Sequence, residues 1–430
     1  MTYSQAVGFL YRLQKHGIKL GLETMTALAG RLGNPHRGYR TLHIGGTNGK
    51  GSTAAMVAAI LQAAGYRVGL YTSPHLVDFR ERIRVNGTMI GEAEVARLTE
   101  LVKGLCELDL APTFFECTTA MAFQFFADER VDVAVLEVGL GGRFDATNVV
   151  TPAACAITTI AMDHQEYLGT TLESIAFEKA GIVKPNVPVV LGAIEGEARK
   201  KIEEIAEARA AAIRGLNRDF TVRGTTERFD YRSGERLIEG LHCALSGAHQ
   251  LDNAACAIAL IEAAVPAGLA AGEGAVRQGL VEVTWGGRLE LVDDHPMVLL
   301  DGAHNPAGAA ALAGHLRTLK QSHPTRHIVV VLGMMRDKDH RGFLRALEGV
   351  VDHIVCTQAD HPRSMTAVGL QQAVGERLLA ASTAAVPGDA LLQAKQIAGH
   401  DDIICVTGSL MLIGEVKALL RGCGLSPLRG

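Results

Sequence analysis

Short apolar runs alternate with stretches of helical periodicity along most of the chain. The runs predict strands at Thr41–Ile44, Arg67–Tyr71, Val131–Glu137, Ala153–Ile160, Pro188–Leu191, Met297–Asp301, His327–Gly333, Asp352–Thr357 and Asp402–Val406. Between most of them the apolar spacing is helical, as in the Ala-rich stretch from Thr53 to Gly65. Strands that stay apolar throughout and are separated by helices belong to a parallel sheet covered by helices, so the expected class is α/β. Residues 218 to 250 differ: short polar and apolar pieces around Phe220, Phe229 and Leu237 predict β-hairpins at one edge. The segment Val283-Thr-Trp-Gly-Gly-Arg-Leu-Glu290 interrupts the pattern, and we place a domain boundary there. The expectation is an ATP-binding domain over 1–287 and a smaller Rossmann-like α/β domain over 288–430.

Composition narrows the class without naming a partner. Hydrophobic residues make up 48% and charged residues 20%, and 42 basic against 46 acidic side chains give a formal charge of −4. That balance offers no basic surface for nucleic acid or acidic lipid. The N-terminus has no basic segment followed by an apolar run, and no apolar stretch is long enough to span a bilayer, so a cytoplasmic protein is expected. The 8 cysteines form no C-x-x-C pair, which argues against a disulfide framework or a zinc site.

The most informative stretch is His43-Ile-Gly-Gly46-Thr47-Asn48-Gly49-Lys50-Gly51-Ser52-Thr53, laid between a predicted strand and a predicted helix. Its glycines let backbone N–H groups turn toward a phosphate, the helix N-terminus adds partial positive charge, Lys50 adds a full one, and Ser52 is placed to hold Mg²⁺. The spacing departs from G-x-x-x-x-G-K-[ST], since Gly51 separates Lys50 from Ser52. A glycine-rich turn without a nucleotide is the alternative reading.

Other candidates sit where strands of an α/β sheet end, the usual ligand crevice. Glu137 closes an apolar run and is followed by Gly139-Leu-Gly-Gly-Arg-Phe144-Asp145-Ala146-Thr-Asn148, which suits a Mg²⁺ contact, or else a solvated strand end. Asp163-His164 follows another strand, and His164 is either a metal ligand or an ordinary histidine. Lys179, near the end of a predicted helix, reads as a cation favoured by the helix dipole. Asp301, His304 and Asn305 occupy the first strand-to-turn junction of the second domain, and Arg288 lies in the presumed linker. No G-x-S-x-G elbow supports nucleophilic hydrolysis.

Taken together these segments resemble the folylpolyglutamate synthase and dihydrofolate synthase family, related to the Mur ligases. The resemblance rests on Gly46–Ser52, Tyr71-Thr-Ser-Pro-His-Leu76 with Glu81-Arg-Ile-Arg84, Glu137–Asn148, Asp163-His-Gln, Glu178-Lys-Ala-Gly-Ile182 and Leu300-Asp-Gly-Ala-His-Asn-Pro306, six segments in one order. It implies a Mur-ligase-like N-terminal domain, with Ser73, Glu137 and His164 holding magnesium, two ions being expected. It implies too that Lys179 is a carbamylated lysine (N6-carboxylysine), which replaces the helix-dipole reading. Asn253, Arg288 and Asp301 are implied to contact ATP, Arg288 at the phosphates and Asp301 at the nucleoside end, with His304 lining the interdomain cleft. Thr113, Phe114, Phe115 and Glu116, together with Phe144, Asp145 and Ala146, match the pterin site. Phe115 suits stacking on a flat ring, and Asp145 suits its amino-pyrimidine edge. Arg-Phe-Asp-Ala-Thr-Asn is more similar to members that accept dihydropteroate. Gly286 stands where the family usually has proline, and Cys117 after Glu116 is unusual.

The implied activity is ATP-dependent ligation of L-glutamate to a pterin-bearing carboxylate through an acyl phosphate. Lys50, Lys179, His164 and Arg288 are the expected catalytic groups, and closure across 284–290 is expected to complete the reaction. The expected partners are small molecules only: ATP, L-glutamate, dihydropteroate and tetrahydrofolate. A monofunctional polyglutamylating enzyme, a different Mur-type ligase and a P-loop nucleotide switch stay open. Only about forty residues precede the P-loop, which counts against the second.

Overall fold

The computed structural model describes residues 1–14, 17, 19, 21–106, 110–377 and 380–426. Two compact units emerge: Met1–His75 with Phe79–Ala244 and Gln250–Thr284, and Leu76–Asp78 with Leu245–His249 and Trp285–Gly430.

In the first unit the longest apolar runs become the middle of a sheet. Its strands are β1 (Arg40–Gly45), β2 (Val68–Tyr71), β3 (Ile83–Val85), β4 (Thr88–Met89), β5 (Val133–Glu137), β6 (Ala154–Thr159), β7 (Val189–Ala193) and β8 (Ile213–Gly215), in the order β4-β3-β2-β5-β1-β6-β7-β8. All five residues of β5 are buried, as a strand with both faces covered requires. β1 pairs in parallel with β5 on one side and β6 on the other, while β3 and β4 add an antiparallel edge. The chain leaves β1 toward β2 on one side and later reaches β6 on the other, so the crevice beyond the C-terminal ends of β1, β5 and β6 is a switch point. Three of the motif segments start there.

The helix Lys50–Ala63 is apolar nearly all round and buried along most of its length, so it sits inside the unit. It packs closely on the helix Glu273–Glu282: a Cβ on Gly279 would lie 2.5 Å from the backbone of Ile60. The expected hairpins of 218–250 exist, but not at the edge of the main sheet. β9 (Phe220–Thr225), β10 (Arg228–Ser233) and β11 (Arg236–Leu241) form a separate three-stranded antiparallel sheet, because β8 already occupies that edge. Phe229 and Tyr231 point inward between exposed neighbours, the alternation of a sheet with one wet face.

The second unit holds β12 (Glu290–Asp294), β13 (Met297–Leu300), β14 (Ile328–Leu332), β15 (His353–Cys356), β16 (Ala381–Thr383) and β17 (Ile403–Thr407), ordered β12-β13-β17-β14-β15-β16. Successive residues of β13 enter different cores: Leu299 joins Leu316, Phe343 and Ile354, while Val298 and Leu300 join Val355, Leu391 and Ile413. The interruption at 283–290 is no free linker, since Glu290 opens β12, which pairs antiparallel with β13. Gly286 has a local reason: a Cβ there would sit 2.5 Å from Lys417 Nζ, whose ion pair with Glu290 spans 2.6 Å. Among the described residues no helix is long and apolar enough to cross a membrane.

Candidate active site

The P-loop is shaped by two glycines rather than three. Gly46 and Gly49 have φ of 136° and 87°, values that L side chains rarely adopt, whereas Gly51 is the second residue of the helix and contributes no turn. A Cβ at Gly46 would fall 2.1 Å from Thr158 Oγ1, and one at Gly49 would fall 2.3 Å from Asn253 Oδ1. The loop is therefore clasped by the end of β6 and by the helix His249–Ala263. Thr158 Oγ1 donates to Asn48 O at 2.6 Å, Thr159 Oγ1 accepts from Asn48 N at 2.9 Å, and Thr47 N donates to Thr159 O at 2.7 Å. Asn253 donates to Gln250, which donates to Ser52 Oγ at 3.4 Å, so Ser52 is oriented by a fully buried glutamine. Gln250, Thr158 and Thr159 carry no motif of their own, and only their approach to the loop reveals them.

Two cations converge on this loop. Lys50 Nζ donates to Gly46 O at 3.1 Å and to Thr47 O at 3.0 Å, and Lys179 Nζ donates to Gly46 O at 2.8 Å. Lys179 closes the helix Leu172–Lys179, yet its side chain leaves the helix axis for the P-loop, so the dipole reading does not hold. Burial, and next the charge of Lys50, push the Lys179 amine down to about 7, against the pull of Asp163 and Asp145.

Glu137 ends β5 opposite Ile44 of β1, two residues before Gly46. Its carboxylate, 5% exposed, accepts the Ser73 N–H at 3.1 Å, which brings two of the expected metal-binding residues together. His164 has a left-handed backbone at φ 49°, and its N–H is held by Asp163 Oδ1 at 2.9 Å. A nearly buried carboxylate at the end of the strand neighbouring that of the P-loop, held by the backbone N–H of Ser73, is a hard-oxygen donor that fits Mg²⁺.

The residues expected at the pterin site divide by role. Thr113 and Glu116 form a reciprocal capping box at the start of the helix Phe114–Asp128, with Thr113 N to Glu116 Oε2 at 2.7 Å and Glu116 N to Thr113 Oγ1 at 3.2 Å. Phe114 is buried against Phe79, under the guanidinium of Arg82, and so belongs to the core. Phe115 is half-buried and lies on the glycine-rich segment: a Cβ at Gly139 would meet its ring at 2.5 Å. Phe144 is half-buried beneath Arg143, whose guanidinium is 4.2 Å from the ring centre and pairs with Glu178 at 2.7 Å. Asp145 accepts Gly139 N and Leu140 N on Oδ2, both at 2.9 Å, and Thr147 N and Oγ1 on Oδ1, at 3.0 and 2.5 Å. It is 5% exposed, and Ala146 beside it opens the short turn of 3₁₀ helix that Asp145 caps. Burial pushes the Asp145 carboxyl up, while these bonds hold it down. Cys117 is wholly buried in the helix core.

In the second unit Asp301 follows β13 and ties the segment that enters β12 to the turn after β13, accepting Leu289 N on Oδ2 and Ala303 N on Oδ1, each at 3.0 Å. Arg288 packs over Gly302, where a Cβ would lie 2.3 Å from Nη1. His304 Nδ1 meets Gly302 O at 2.9 Å, which fixes the ring, and Asn305 caps the helix Pro306–Ser322 through Gly308 N at 2.8 Å. Asn305 is thus a helix cap.

A P-loop with two lysines on one of its carbonyls, one of them buried, on a parallel sheet with a carboxylate at the neighbouring strand end, defines a nucleotide-dependent phosphoryl-transfer protein of the α/β class. The model of the Mur ligase middle domain matches residues 44–261, and that of the Mur ligase glutamate ligase domain matches residues 287–410. The dihydrofolate synthase/folylpolyglutamate synthase of Bacillus subtilis is 39% identical, over 98% of this chain and 99% of its own. The Escherichia coli protein of the same name is 35% identical, over 96% and 94%. The solved Escherichia coli FolC in complex with DHPP and ADP superposes with a TM-score of 0.90 at 33% identity, covering 98% of both chains. A bifunctional folylpolyglutamate synthase/dihydrofolate synthase solved with Mn, AMPPNP and L-glutamate reaches 0.87 at 34%, covering 97% of this chain and 98% of that one. The chain belongs to the folylpolyglutamate synthase/dihydrofolate synthase family of the Mur ligases.

Proposed function

We propose that this protein is an ATP-dependent amide ligase that joins L-glutamate to dihydropteroate and to reduced folates. The observation that carries the reading is the pair of lysines on Gly46 O, Lys179 buried and Lys50 half-buried, beside the Glu137 strand end. A carboxylate is a poor electrophile. Its oxygen attacks the γ-phosphorus of ATP, ADP leaves, and the resulting acyl phosphate is attacked at carbon by the glutamate amine, which expels phosphate and loses a proton. Swinging off the Gly46 and Thr47 carbonyls, Lys50 would meet the transferring phosphoryl oxygens, where charge spreads during the step.

Ser52, Ser73, Glu137 and His164 are the residues we propose to hold Mg²⁺. When bound, the ion neutralises phosphate charge and orients the nucleotide. Lys179 would complete this set as a carbamate. A neutral amine is needed to add CO₂, and an amine pushed down to about 7 supplies it at neutral pH. Modification would replace a cation with an anion beside the metal, removing a repulsion.

For the nucleotide we propose the Gly46–Ser52 loop and Asn253, together with Arg288 for the phosphates, Asp301 for the nucleoside end and His304 beside them. The acceptor ring would stack on Phe115 and Phe144 near Asp145 and Ala146. Thr113, Phe114 and Glu116 would support that pocket from the helix start rather than line it. The functional division we propose is 1–287 and 288–430, with the protein acting in the cytoplasm on small molecules alone. A monofunctional polyglutamylating enzyme is the second reading, favoured by the 34% identity to the Lacticaseibacillus casei folylpolyglutamate synthase. Incubation with ATP, Mg²⁺, glutamate and either dihydropteroate or tetrahydrofolate, with products identified by mass, separates the two. ADP release that is indifferent to glutamate would overturn both.

A further inference from the structure

A histidine in the middle of a central parallel strand needs a reason, because a leucine there would bury no polar atom. His43 lies between Leu42 and Ile44 on β1, fully buried, with Leu136 of β5 and Cys155 of β6 as its neighbours. Burial pushes its ring down to about 3, so the imidazole is neutral at physiological pH and carries one N–H. Nε2 is 2.8 Å from Thr147 Oγ1, and Nδ1 has no hydrogen-bond partner among the described residues.

The direction of the proton follows from the far end of the chain of contacts. Three backbone N–H groups and the Thr147 hydroxyl all point at the Asp145 carboxylate, which accepts every one. Thr147 therefore spends its only proton on Asp145, and its oxygen must accept from His43. The tautomer is fixed with hydrogen on Nε2, and the buried chain runs His43 Nε2–H to Thr147 Oγ1–H to Asp145. It joins the strand that carries the P-loop to the turn that carries Phe144 and Asp145.

We propose that His43 and Thr147 are positioning residues for the acceptor, holding the turn of residues 139–147 in the geometry that dihydropteroate binding requires. This rests on the acceptor site proposed above. Neither residue touches substrate; both act through Asp145. The unpartnered Nδ1 fits the idea, since only the Nε2 side of the ring has work to do.

The two amide isosteres of histidine make the test. Gln places its amide nitrogen near the position of Nε2, and Asn near that of Nδ1. His43→Gln should keep the Michaelis constant for dihydropteroate within about twofold, while His43→Asn and Thr147→Val should raise it about tenfold, the effect of one hydrogen bond of ordinary strength. The ATP constant should stay within about twofold in all three, and Thr147→Ser should restore the wild-type value. Folding is checked by thermal melting, and Thr147→Val with Thr147→Ser carries the test should His43→Asn not fold. The proposal is overturned if the folded Asn and Val variants bind dihydropteroate as wild type does, or if the ATP and dihydropteroate constants rise together. Phe115→Ala is the separate control: an unchanged dihydropteroate constant there overturns the acceptor site itself, whereas a raised one beside silent His43 and Thr147 variants overturns only the relay.

Discussion

Lys50 and Lys179 share a single acceptor, the carbonyl oxygen of Gly46, at 3.1 and 2.8 Å. Two ammonium groups on one oxygen repel each other, and burial sharpens the repulsion. The arrangement is a site waiting for negative charge, and phosphate and carbamate are the two forms that our functional reading supplies.

The stability of the unmodified protein should carry the mark of that repulsion. Lys179 sits at about 7 in the folded state against 10.5 ordinarily, so between these values the unfolded chain binds more protons than the folded one. Stability therefore rises with pH across this window, and the burial penalty is full below about pH 7. Lys179→Met should raise the melting temperature most below pH 7, with the gain shrinking toward pH 10.5. A gain independent of pH would show that the amine is not depressed.

A carbamate on Lys179 should be visible directly. Protein equilibrated with ¹³C-bicarbonate is expected to show one carbamate carbon resonance that Lys179→Ala abolishes, with ligation falling in both CO₂-depleted enzyme and the variant. A spectrum with no such signal in active, CO₂-equilibrated protein would rule the modification out.

Lys50→Ala should leave the fold intact, since its side chain bonds only loop carbonyls in the contacts described above, and should cut ligation by at least about a hundredfold. Circular dichroism checks the fold, and product mass checks turnover. Wild-type turnover in the folded variant would remove the P-loop from the mechanism.

Asp145→Ala should raise the Michaelis constant for dihydropteroate by about tenfold to a hundredfold and leave that for ATP nearly unchanged, as expected for charge-assisted hydrogen bonds of roughly 1.5–3 kcal/mol. Part of this loss comes from freeing the Gly139 and Leu140 N–H groups, which Asp145 holds at 2.9 Å. Steady-state kinetics with both folate acceptors decide the point. An effect confined to reduced folates would contradict dihydropteroate as a substrate.

Much of this protein is legible from its sequence. The nine apolar runs are strands because burial on both faces leaves a signature that neighbours cannot disguise, and the glycine-rich loop announces itself because Gly46 and Gly49 need backbone angles that other residues avoid. What the sequence does not contain is the partner of each side chain. The strands β3, β4, β8, β12 and β16 escape a reading by pattern because they lie at or next to sheet edges and are partly exposed, so they carry no continuous apolar run. Lys179 reads as a helix-end cation until folding carries its amine to a carbonyl 133 positions away. His43 reads as one more strand residue until Thr147, 104 positions on, is placed against it. Hydrophobic period and glycine geometry are local and survive in one dimension. Desolvation and proton direction depend on which groups surround an atom, and only the tertiary structure decides that.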